Sequence, residues 1–139
     1  MTITFHYKRV SRPGGEIKSP TIPVVLAGKA TKFEFAALLD SGADVSAIPK
    51  SVAELLGLDL NGKQEEAEGI GGKVPAVQSK MRLSIEKHHE QYSFDIPVKV
   101  ILTSQDFTIL LGRAGFFDKF VVTFDQANEK VMLKRVTSK

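Results

Sequence analysis

Asp40 stands where a carboxylate can do chemistry. It follows the apolar run Phe35-Ala36-Ala37-Leu38-Leu39 and precedes Ser41 and Gly42, so it is presented at the end of a buried strand. The glycine lets the backbone turn tightly and lets a ligand or a second backbone come close. Ser41 adds a hydroxyl that can donate a hydrogen bond. A carboxylate placed in this way can take a proton as general base or give one as general acid. Taken alone, Asp-Ser-Gly is also an ordinary turn.

Rival chemistry is weaker. With no cysteine among 139 residues, thiol nucleophiles, zinc knuckles, iron-sulfur clusters and disulfide frameworks are excluded. Ser41 is a poor candidate nucleophile, because there is no Gly-x-Ser-x-Gly elbow and no histidine obviously placed to serve it. His88, His89 and Glu90 are adjacent, and adjacent side chains on a strand or turn point apart, so a solvated turn is expected and no metal site. Lys8, Arg9 and Arg12 read as a solvated edge that blocks strand-to-strand aggregation. A formal charge of +3, with no block of like charges, gives no reason to expect a nucleic-acid partner. No apolar run approaches the roughly 18 residues of a membrane span, and the N-terminus lacks a charged-then-apolar leader. The expected setting is therefore soluble and cytoplasmic, with no membrane partner.

The elements that must position Asp40 are mostly strands. Composition is that of an ordinary globular chain, with 42% apolar and 25% charged residues, and its length favours one domain over residues 1–139. Thr2 to Val10 alternates, while 21–26 and 32–39 read as a hairpin around Ala27-Gly28-Lys29-Ala30. Pro49 to Gly57 predicts a short helix with apolar Val52, Leu55 and Leu56. Gly69-Ile70-Gly71-Gly72 punctuates a long hairpin with a mobile tip, and 87–90 is a polar turn leading into the period-two segment 91–102. The apolar run 107–111 ends at Gly112. Residues 113–119 read as a second short helix, and 120–125 with 130–136 as a last hairpin. The sum is a mainly β domain with one or two brief helices.

Three motifs in this order, Asp40-Ser41-Gly42-Ala43-Asp44, Gly69-Ile70-Gly71-Gly72 and Leu110-Leu111-Gly112-Arg113, resemble those of the retropepsin-like aspartic proteases, the single-lobed relatives of pepsin. The resemblance covers roughly residues 33 to 117 and implies an all-β fold: a closed β-barrel with one or two short helices and a β-hairpin flap, working as a homodimer. Aspartic proteases use two carboxylates, one acting on a water as base and the other on the scissile carbonyl as acid. Only one such triplet occurs here, so the second carboxylate must come from a second copy across a two-fold axis. Two like charges about 3 Å apart resist ionising together, which favours an acidic to near-neutral working range.

The same resemblance implies further roles. Asp40 would be catalytic, and Ser41 and Gly42 would support the paired active-site loops. Ala43, Asp44, Gly69, Ile70, Gly71, Gly72 and Leu110 would contact substrate, and Asp44 would also form a partly buried bidentate pair with Arg113. No metal and no cofactor are expected. Two features depart from the pattern: Ala114-Gly115 follows Gly112-Arg113 where Asn or Asp is common, and a whole hairpin follows where the viral enzymes end. Residues 1–20 form a lead that reads as an added strand, an interface arm or a propeptide-like segment. The expected function is endopeptidase action on a peptide or protein substrate; the alternative is a non-proteolytic peptide-binding or dimerisation module on the same fold.

Overall fold

The computed structural model describes residues 2–29, 31–69 and 72–136. Ile70 and Gly71, both expected at the hairpin tip, lie outside the described residues. Among the described residues there are twelve strands: β1 Thr2–His6, β2 Lys8–Arg12, β3 Gly15–Ser19, β4 Thr21–Ala27, β5 Lys32–Leu39, β6 Ser46–Pro49, β7 Gln64–Gly69, β8 Gly72–Lys87, β9 Glu90–Ile101, β10 Ile109–Leu111, β11 Phe120–Asp125 and β12 Lys130–Arg135. The same described residues hold one α-helix, α1, at Lys50–Leu56, and a 3₁₀ turn at Phe117–Lys119. Among the described residues no helix is long and apolar enough to cross a membrane.

Seven strands join in the order β4-β5-β10-β6-β9-β8-β7, and β4 also pairs with β8, so the sheet closes on itself. The local hairpins β4/β5, β7/β8, β8/β9 and β11/β12 all form where alternation and turn residues predict them. His88 and His89 supply the two positive-φ positions of the turn between Lys87 and Glu90, at 51° and 70°, as a two-residue primed turn requires. Around the last turn, the side-chain amide and backbone N–H of Asn128 donate to Asp125 and hold its carboxyl below the usual range.

Two expectations need correction. The alternating N-terminus is two strands, broken at Tyr7: β1 pairs with β12 at the far end of the chain, and β2 with β3 forms a separate two-stranded sheet. Residues 113–119 do not form one helix. Ala114 makes a bridge to Val45, and Gly115 takes φ +85° with a Cβ position only 2.7 Å from Pro97, so the chain can coil only after it, at Phe117–Lys119. In α1, Ala53 and Leu56 are buried, but Leu55 is 50% exposed.

The core runs through the closed sheet and includes Ile22, Leu26, Ile48, Leu83, Ile96, Leu111 and Phe116. Phe116 is fully buried and packs its ring against Phe94, Phe117 and Phe120, joining the segment after β10 to β9 and β11. Truncating it removes a large side chain from a site that cannot collapse freely. Phe116→Ala is expected to cost about 3–5 kcal/mol in urea denaturation. Val121→Ala, at a position 56% exposed, should stay within roughly 0.5 kcal/mol.

Candidate active site

Asp40 follows directly on β5. Its neighbour in the sheet is β10, which runs parallel with Leu110 opposite Leu38 and Leu111 opposite Leu39. That register delivers the Asp40 N–H to the carbonyl of Leu111 at 3.0 Å. The chain then turns: the N–H of Ala43 donates to the Asp40 carbonyl at 3.1 Å, and the N–H of Gly42 donates to the Asp40 carboxylate at 3.0 Å. One carboxylate oxygen is therefore oriented from within its own loop, and the side chain remains half-exposed.

The far side of the loop is tied to the residues after β10. Arg113 and Ala114 donate backbone N–H groups to the carbonyls of Ala43 and Asp44, each at 2.9 Å. Gly112 donates to the buried hydroxyl oxygen of Ser46 at 3.0 Å. A Cβ on Gly112 would stand 2.5 Å from the Val45 carbonyl carbon, so only glycine fits there without movement. Ser46 went unnoticed in the sequence, because a serine two residues past an acidic loop carries no distinctive signal.

The structure brings Asp44 and Arg113 together across 69 positions, but not as the expected partly buried bidentate pair. One guanidinium nitrogen of Arg113 donates to Asp44, and the other donates to the Ser41 carbonyl at 2.7 Å. The Asp44 side chain is 87% exposed and that of Arg113 52%. Arg113 thus spans the loop from Ser41 to Asp44 at the surface, where water screens the charges.

Asp40 opens on a cleft of about 860 Å³. Its other expected residues are Gly42, Ala43, Asp44, Gly72 and Leu110; Ser41 is exposed beside it. Gly69 closes β7 opposite Gly72. The cleft is also lined by residues that the motifs did not pick out: Ala47 on β6, Glu66, Ala67 and Glu68 on β7, Val74 on β8, Lys99 and Ile101 on β9, and Gln105 and Phe107 before β10. Alternation along β7 and its place before the glycine-rich tip were the available signal for Glu66 to Glu68. Lys99 is matched by Glu65 at 3.7 Å, and Gln78 donates to the other Glu65 oxygen at 3.2 Å. A second cleft of about 590 Å³, beside Gly28, Gly62 and Met81, holds none of the expected site residues. Among the described residues no group of three or more His, Asp or Glu is placed to hold a metal ion.

The exposure of the Asp44–Arg113 pair sets its energetics. Exposed ion pairs contribute little, so a double-mutant cycle with Asp44→Asn and Arg113→Lys should give a coupling energy below about 1 kcal/mol in thermal or urea denaturation. Arg113→Lys alone should still destabilise the loop, because a lysine cannot reach Ser41 and Asp44 at once. A coupling of several kcal/mol would contradict the exposed geometry.

Comparison with known proteins agrees with this architecture. A family model described as aspartyl protease matches residues 22–114, so the match begins at β4, earlier than the three motifs alone suggest. A retropepsin-like aspartic protease from Rickettsia conorii is 20% identical, with 96% of this chain and 90% of that one covered and a TM-score of 0.57. The EIAV protease complexed with the inhibitor HBY-793 is 24% identical over 69% of this chain and 83% of that one, with a TM-score of 0.40. A retroviral protease-like domain of Ddi1 from Leishmania major is 15% identical over 86% and 97%, with a TM-score of 0.47. No protein of curated function matches. With more than half of its length matched by the family model and a retropepsin-like fold shared with the Rickettsia protein, the chain belongs to the aspartyl protease family.

Proposed function

We propose that the chain is an endopeptidase that hydrolyses peptide bonds with a water activated between two Asp40 carboxylates, one from each subunit of a homodimer. The observation that carries this reading is Asp40 itself: its backbone is locked to Leu111, one of its carboxylate oxygens is oriented by Gly42, and it opens on a cleft walled by the β7/β8 hairpin. On this reading residues 1–139 form one domain, the closed sheet is a closed barrel, and the β7/β8 hairpin is the flap. Ser41 and Gly42 support the paired loops. Ala43, Asp44, Gly69, Ile70, Gly71, Gly72 and Leu110 contact the substrate, and Arg113 braces Asp44. The reaction needs no cofactor.

In the mechanism, one Asp40 removes a proton from water as the water oxygen attacks the scissile carbonyl. The other, protonated, donates to the carbonyl oxygen. Collapse of the tetrahedral species returns a proton to the leaving amine. One chain supplies one triplet, so the site is incomplete without its partner.

Two measurements test this. Asp40→Asn should abolish peptide hydrolysis while the melting profile shows an intact fold, since the amide fills the same volume; turnover by well-folded Asp40→Asn protein would refute the mechanism. Activity per chain should fall on dilution as dimers dissociate. A strict monomer in sedimentation, at a concentration where peptide is still cut, would remove the two-fold site. Peptide binding with no hydrolysis at any dimer concentration would favour the binding-module alternative.

A further inference from the structure

We infer that the cleft selects peptides carrying lysine or arginine beside the scissile bond, with strand β7 supplying the selecting charge; this rests on the peptidase reading above. The basis is an apolar floor under an acidic wall. Ala47, Val74, Ile101 and Leu110 line the cleft, and so do Glu66 and Glu68.

The charges around the cleft do not cancel. Lys99 is matched by Glu65, and Arg113 is committed to Asp44 and Ser41. Among the described residues Glu66 and Glu68 are exposed and have neither an ion pair nor a side-chain hydrogen bond. Glu66 faces Pro75 in the hairpin register. Lys73 stands opposite Glu68, yet it forms no ion pair with it and does not line the cleft. A two-fold partner would present the same two glutamates again, so a bound peptide would meet this excess of negative charge twice.

Long basic side chains suit such a surface. Their methylene stems can cover apolar floor while the charged head stays in water beside a carboxylate. An acidic side chain in the same place would be repelled and would gain nothing from the floor. The attraction acts on approach as well as in the complex, and salt weakens both.

The test uses peptides that share an apolar core and differ only in carrying Lys, Gln or Glu at the flanking positions. The expected order of kcat/KM is Lys, then Gln, then Glu, with a Lys-to-Glu ratio of at least about tenfold at low salt that shrinks as NaCl is added. Substituting both Glu66→Gln and Glu68→Gln should bring the ratio towards one, and Glu66→Lys with Glu68→Lys should invert it. Binding of fluorescently labelled versions to the Asp40→Asn protein, followed by anisotropy, reads the same preference without hydrolysis. Basic peptides bound more tightly by this variant, with no peptide cut by the unsubstituted protein, would support the charge selection and overturn the peptidase reading. Equal kcat/KM and equal binding for Lys and Glu peptides, or a preference unmoved by the glutamate substitutions, would overturn the inference.

Discussion

The backbone of Gly112 lies against Val45 and Ser46, closer than any side chain permits, and the site depends on that approach. It lets β10 run beside β5 and then pass behind the loop that follows β5. The carbonyls of Ala43 and Asp44 can then accept from Arg113 and Ala114, and the Asp40 N–H can reach Leu111. Each such hydrogen bond contributes only about 0.5–1.5 kcal/mol net, but leaving the buried Ser46 hydroxyl or the Gly112 N–H without a partner would cost more than the bond contributes. Asp40 therefore inherits its position from a network in which its own side chain takes little part. Arg113 adds a surface brace, useful for placing Ser41 and Asp44 and of small energetic consequence.

The second wall of the cleft obeys a different constraint. Strand β7 lies at the end of the strand order and, among the described residues, pairs with β8 alone, so its side chains are largely free of the core. Glu65 is the exception, drawn to Lys99 and Gln78 on the body of the sheet. The hairpin is thus anchored near its base and carries unmatched charge further along. The Asp40 carboxylate sits on the wall tied together by backbone hydrogen bonds, while Glu66 and Glu68 sit on the edge strand opposite.

The parts legible in the sequence were those governed by neighbours along the chain. Alternation in 91–102, the helix between Pro49 and Gly57, and the turns at 87–90 and 126–129 all depend on local propensity and backbone geometry, and all form. Asp40, Gly112 and Arg113 stood out because a motif compresses a distant contact into residue identity. Where distant partners decided the outcome without such a motif, the reading was less sure. Tyr7 breaks the N-terminal strand because the chain must leave β12 to form a separate hairpin. Residues 113–119 looked helical, yet the approach of Pro97 to Gly115 and the bridge from Ala114 to Val45 delay the coil. The Asp44–Arg113 contact was foreseeable, whereas its exposure depends on which way the loop faces.

The parallel pairing of β5 with β10 also sets an order of events for a chain leaving the ribosome. The β4/β5 hairpin can form from consecutive residues, but one edge of β5 stays open until residues 109–111 have been made. Throughout that interval the Asp40 loop lacks the carbonyl of Leu111 and the N–H groups of Arg113 and Ala114, so no folded cleft exists. Contacts of such long sequence separation form slowly and leave strand edges exposed while they are awaited. Completion of the cleft is thus delayed by topology during synthesis until most of the chain has emerged.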